Sequence, residues 1–183
     1  DYYISGIISD WTDDDWDVYN NFGWYIAFDY AYVFQNTDGG QYYGYKGQYS
    51  NALNRTFKDI KRFWDISNDI LMTDAHGNIF NNTDKVTNLL LVYGFSQTDA
   101  EGLAADLKTF YGDTKYHDYT HPLLTFNAFA STADPNFGAP KKIVMGDGIM
   151  QAYYDLGYGD VAPQAILAHE YGHHVQYRSE EHT

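Results

Sequence analysis

The apolar positions are spaced most regularly at residues 51–65. Leu53, Phe57, Ile60 and Trp64 recur at four-three-four spacing, which lines one face of a helix, while Lys58, Lys61 and Arg62 fall on the other. A second helix is predicted over 84–93, opened by Asp84. A third follows: Ala100, Leu103, Ala104, Leu107 and Phe110 form an apolar stripe, Thr98 and Glu101 have capping-box spacing, and Gly112 is placed to end it. Short strands are expected near 69–73 and 78–80, on either side of a turn at Asp74-Ala75-His76-Gly77-Asn78. LLTFNAFA (123–130) and KKIVMG (141–146) also read as strands, and 148–157 as a short helix or a loop. The final helix is expected from near Asp160, its N-cap, to about Tyr177, with Pro163 in the first turn, where a missing N–H costs nothing.

Residues 1–50 are acidic and aromatic. Turn chemistry at Asn36-Thr37-Asp38-Gly39-Gly40, flanked by aromatic and β-branched residues, predicts a hairpin of strand 29–35 against strand 41–46. Helices and strands that mix without a regular βαβ rhythm indicate an α+β fold. The chain divides into an aromatic acidic region, 1–50, and a lobe, 51–183.

The last helix carries the candidate chemistry. His169 and His173 are one turn apart, so both imidazoles leave the same face, and Glu170 is the next residue round. This is the His-Glu-x-x-His spacing that lets two rings reach one zinc ion while a carboxylate reaches the water on it. Other candidates are weaker. His117 and His121 also have i,i+4 spacing, but Gly112, Asp113 and Pro122 argue for a polar surface loop. His76 is expected to be solvated in its turn. Asp13, Asp15 and Asp17 alternate like the start of a calcium loop; Val18 and Trp24 stand where an EF-hand needs Gly and an acid, which leaves only a looser Ca2+ site.

Composition narrows the partners. The net charge is −14 and no Lys/Arg cluster interrupts it, which argues against nucleic acid and an anionic membrane surface as partners. There is no cysteine, so a thiolate metal site and a disulfide framework are both ruled out. No apolar run reaches the length of a membrane span. An acidic, cysteine-free, tyrosine-rich chain that starts at Asp1 fits the mature form of a secreted, extracellular bacterial protein.

APQAILAHEYGHHVQY (162–177) resembles the active-site helix of zincin-type zinc metallopeptidases, and HEYGHHVQ is similar to the corresponding string of their neutral zinc metallopeptidase members. The resemblance covers about the last 45 residues. It implies a zincin-like N-terminal lobe, a small mixed sheet with packed helices ending in this helix. His169 and His173 are then zinc ligands and Glu170 the general base and acid. KKIVMGDG (141–148) stands where zincins place an edge strand that pairs with an extended substrate. The pattern breaks after the motif, because Gln176 and Ser179 occupy the positions where metzincins continue with Gly and a third His. His174 points roughly a hundred degrees away round the helix, and Glu180, Glu181 and His182 reach back only through a very short loop. The third ligand is therefore expected downstream of Thr183, with this chain as the N-terminal lobe of a catalytic domain. The expected function is zinc-dependent peptide-bond hydrolysis, with a peptide or protein as substrate. The alternatives are a binding module whose His-Glu-x-x-His helix is a relic, or the same zinc chemistry on a small amide.

Overall fold

The protein is described by a computed structural model covering residues 2–66 and 69–181. The elements in chain order are α1 (Tyr2–Ile7), α2 (Asp13–Val18), α3 (Ile26–Phe34), α4 (Ser50–Trp64), β1 (Leu71–Ala75), α5 (Thr83–Val92), α6 (Gln97–Tyr111), β2 (Ala128–Ser131), β3 (Lys142–Gly146), α7 (Asp147–Tyr153) and α8 (Val161–Glu181). The architecture is α+β, as the sequence indicates.

One three-stranded sheet organises the molecule, in the order β1-β3-β2, with β1 parallel and β2 antiparallel to β3. Every residue of β1 and β3 is buried, whereas those of β2 are half-buried. KKIVMG is therefore the central strand and not the edge; β2 is the edge. The two faces of the sheet carry separate cores. Met72, Ile143 and Met145 pack with Leu53 and Phe57 of α4, Met150 of α7, and Leu167 and Tyr171 of α8. Ala75 and Val144 face the opposite way, onto α3, α5 and α6.

The hairpin expected at 29–46 is replaced by α3 and an irregular segment. Ile26, Ala27, Phe28 and Ala31 are buried on one side of α3, so tertiary packing overrides the strand preference of its aromatic and β-branched residues. Lys142, fully buried on β3, donates from Nζ to the carbonyls of Ala31, Tyr32 and Gln35, each at 2.9 Å, and to Asn36 Oδ1 at 2.8 Å. A cation thus closes the C-terminal end of α3, where orphan carbonyls and the helix dipole favour it. Burial pushes its pKa down to about 8. Residues 41–46 form no strand because carboxylates take their N–H groups: Tyr42 N donates to Asp74 Oδ2 at 2.8 Å and Gly44 N to Asp147 Oδ1 at 3.1 Å. Residues 1–50 are thus part of both cores, through α3 on one face and Tyr43 and Tyr49 on the other.

The predicted helices are present with shifted ends. Within α4, Leu53 and Phe57 are buried while Trp64 is exposed. Asn82, not Asp84, caps α5 by accepting from Lys85 N at 3.1 Å. Ser96, not Thr98, caps α6 by accepting from Asp99 N at 3.1 Å. A 3₁₀ turn, Gly77–Asn81, stands in place of the second short strand, and another, Pro122–Thr125, replaces the first half of the 123–130 strand. Gly146 and Gly148 are needed because the 122–127 backbone crosses there; a Cβ would lie 2.3 Å from Thr125 O and 1.8 Å from Pro122 O respectively. Among the described residues no helix is long and apolar enough to cross a membrane.

Candidate metal centre and its groove

α8 is held by its apolar side. Leu167 and Tyr171 are buried against α4 and the sheet, and Phe57 packs edge-on to Tyr171 at 6.1 Å between ring centroids. His174 is buried too, its Nε2 donating to Lys142 O at 3.0 Å. Burial pushes its pKa down, against the pull of the Lys142 carbonyl. His174 is therefore structural and faces away from the motif.

Anchoring that side turns the other outward. His169 is exposed and His173 half-buried, with ring centroids 4.9 Å apart. His173 Nδ1 lies 3.2 Å from Gln176 Oε1, an acceptor that fixes the proton on Nδ1 and leaves Nε2 free. The two imidazoles thus form one patch on the outer side of α8, tied among the described residues only to Gln176 and Tyr177 of the same helix. Glu170 turns inward beneath them and is only 8% exposed. Burial pushes its carboxyl up, while the histidines and the Ala130 backbone N–H on β2 pull it back down.

That contact places the motif against the sheet edge. Gly146 N donates to Asn127 O at 3.1 Å, so residues 127, 129 and 131 turn their backbone groups toward β3. Ala128 and Ala130 turn theirs outward, where Ala128 N donates to Asn127 Oδ1 at 2.9 Å and Ala130 N to the Glu170 carboxyl, so their carbonyls are the groups left open. Next to that edge lies a cavity of about 500 Å³, lined by Ala128, Ile149, Tyr153, Ile166, His169 and Glu170 among others. Tyr158 and Val161, 63% and 71% exposed, stand at its rim. An apolar pocket, a strand edge with two outward carbonyls, a buried carboxylate and two solvent-accessible imidazoles therefore meet in one place.

The remaining sequence candidates do not join it. Among the described residues no third His, Asp or Glu stands with His169 and His173 to complete a metal-binding group. Glu180 and Glu181 lie exposed in the last turn of α8, and His182 is outside the described residues. Gly172 was expected to admit a close neighbour, yet nothing lies within 4 Å of where its Cβ would be. His121 is not a loop ligand: it is fully buried, with Nε2 2.8 Å from Ile7 O and Nδ1 accepting from Leu123 N at 3.3 Å. Asp13, Asp15 and Asp17 sit on the short helix α2 and do not converge. Asp15 is buried, completes a capping box with Thr12 and accepts from Lys115 Nζ and Tyr116 OH, so it is not free for calcium.

His76 departs furthest from expectation. It is not solvated but stacked on Tyr42, 3.9 Å between ring centroids, and wedged between two aspartates. Nδ1 is hydrogen-bonded to Asp147 Oδ2, and Nε2 lies 2.9 Å from Asp74 Oδ2 in an ion pair without hydrogen-bond alignment. The sequence did hold a signal: Asp74 is the penultimate residue of β1 and Asp147 follows β3, so two parallel, adjacent strands deliver carboxylates at the same end.

No family model matches the chain, no curated protein matches it, and no solved structure matches its fold. A functional reading of the site rests on its residues and their geometry.

Proposed function

We propose that the protein takes part in zinc-dependent hydrolysis of peptide bonds, with His169 and His173 as metal ligands and Glu170 as general base and acid. The observation that carries this reading is the paired imidazoles at 4.9 Å with the Glu170 carboxyl buried beside them, at the mouth of an apolar cavity. Two imidazoles suit zinc and fill part of a tetrahedral set. The remaining protein ligand would come from outside the described residues. When bound, zinc would acidify a water and polarise the substrate carbonyl.

The chain's own groups supply the rest. A peptide laid along β2 in extended form donates its N–H groups to the outward carbonyls of Ala128 and Ala130. The cavity lined by Ile149 and Ile166 receives an apolar side chain and fixes the register. Glu170, with a carboxyl raised by burial, takes a proton from the attacking water at a carboxylate oxygen and delivers it to the leaving amine nitrogen. Tyr153 and Tyr158 help exclude bulk water from the rim.

The test is turnover of an unstructured peptide by zinc-supplemented protein, wild type against Glu170→Gln, with metal content measured in both. Turnover, slow with an incomplete ligand set, should fall at least about a hundredfold in the variant while metal content stays the same. Turnover that ignores zinc, or that survives the substitution, overturns the reading. A peptide-binding module with an unused motif is the second reading, favoured by the missing third donor among the described residues; it predicts binding along β2 that is indifferent to zinc.

A further inference from the structure

The open edge of β2 borders two hollows, not one. On the α8 face is the apolar cavity already described. On the α3 face is a second, of about 330 Å³, walled by Tyr19, Trp24, Tyr25, Phe28, Phe126 and Phe129. Asn127 lines both, so they meet at the start of the strand. The second hollow is not simply apolar, because Asp29 on α3 also lines it. Its Oδ2 accepts a hydrogen bond from Tyr93 OH, while Oδ1 accepts none among the described residues. No Lys, Arg or His of the described residues forms an ion pair with it. Burial pushes its carboxyl up, and the Tyr93 hydrogen bond pulls it partly back. Trp24, 53% exposed, presents its ring to solvent at the rim.

Aromatic walls around an unpaired carboxylate match one side-chain chemistry. A guanidinium or ammonium is attracted by ring faces and by the carboxylate together, and its methylene stem is at home against the rings. Successive side chains of an extended peptide point to opposite faces of the sheet it joins. A residue entering the α8-side cavity therefore sends its neighbour to the α3 side. We infer that the Trp24–Phe126–Asp29 hollow is a second side-chain pocket of the same groove, and that it takes arginine or lysine directly adjacent to the apolar residue held beside α8. The inference rests on the groove reading above, and the chain's net charge of −14 draws basic peptides toward the surface in any case.

That last attraction is unspecific, so the test must separate position from charge. Fluorescence anisotropy of short dye-labelled peptides with the intact chain, in EDTA so that nothing is cleaved, compares Leu-Arg and Arg-Leu pairs with Leu-Glu, Leu-Leu and Ala-Arg pairs. A further peptide carries Arg several residues away from Leu. The better of the two adjacent Arg orders should bind about tenfold more tightly than Leu-Glu, and more tightly than the remote-Arg peptide of equal charge. Asp29→Asn, which keeps an acceptor for Tyr93, should abolish the preference for adjacent Arg and leave the preference for Leu over Ala intact. Trp24→Ser, at an exposed rim position, should weaken adjacent-Arg binding in the same selective way. Equal binding of adjacent and remote Arg, or an unchanged preference in both variants, overturns the pocket. Zinc-dependent turnover without an Arg preference removes only this inference. An Arg preference in a protein that never hydrolyses removes only the hydrolytic reading.

Discussion

Replacing His76 by Gln should remove a contribution to folding stability that declines between pH 6 and 9.5. The ring has a side chain only 11% exposed and touches Asp147 and Asp74. Burial alone would lower its pKa; the Asp147 hydrogen bond and the close contacts with the Asp147 and Asp74 carboxylates outweigh burial and hold it up at about 9, against an ordinary 6.5. Because the folded-state value lies above the unfolded one, the stabilisation is complete below about pH 6.5 and is lost as pH rises through 9. A gap of that size is worth at most ~3.4 kcal/mol. Burial pushes Asp147 up as well, so the two groups share the proton, which trims the expected figure to about 2 kcal/mol. Lys142 works against this trend in the wild type: its lowered pKa, about 8, makes stability rise with pH from there to its unfolded value. The wild-type curve alone is therefore uninformative, and the difference between wild type and variant isolates His76. Urea unfolding at half-unit steps of pH should give a stability difference that shrinks by about 2 kcal/mol from pH 6 to 9.5. Parallel curves would refute the buried aspartate–histidine–aspartate cluster.

Lys142→Met should destabilise the fold by about 2–3 kcal/mol in urea, since it strips the Tyr32 and Gln35 carbonyls of their donor while sparing the cost of burying a charge; wild-type stability would mean the ammonium costs as much as it contributes. Tyr171→Phe should be neutral or stabilising by up to about 1 kcal/mol, because its hydroxyl is buried with no hydrogen-bond partner among the described residues, and a clear loss of melting temperature would expose a missed partner. Gly172→Ala should stabilise α8 by about 0.5–1 kcal/mol, given the open space around it, unless another segment of the protein closes over that turn.

The sequence revealed most where one local pattern dominated. The four-three-four stripe of α4 and the histidine helix were readable because helical period and chemistry coincide within one element. The stretch at 26–46 was not, because what decides it is distant. Lys142, more than a hundred residues downstream, caps α3, and Asp74 and Asp147 claim the N–H groups that a strand at 41–46 would have used. Strand order was hidden for a similar reason. Nothing local in KKIVMG says that β2, which precedes it, lies outside it and that β1 lies on its other side. The shared face of His169 and His173 was legible, whereas the Ala130 N–H beside Glu170 and the His76 cluster depend on sheet register. Short-range rules also misplaced two caps by two residues, since Asn82 and Ser96 offered side chains to the same first turns as Asp84 and Thr98.

Zinc uptake by wild type and by the His169→Ala/His173→Ala double variant, measured by equilibrium dialysis against a graded zinc buffer, addresses the metal pair most directly. The account predicts a zinc ion held by the wild type, more weakly than a complete three-ligand site would hold it, and lost in the double variant, whose folding should be unaffected because both rings lie on the outer side of α8. Equal zinc uptake by the two proteins, at every zinc concentration, would contradict it.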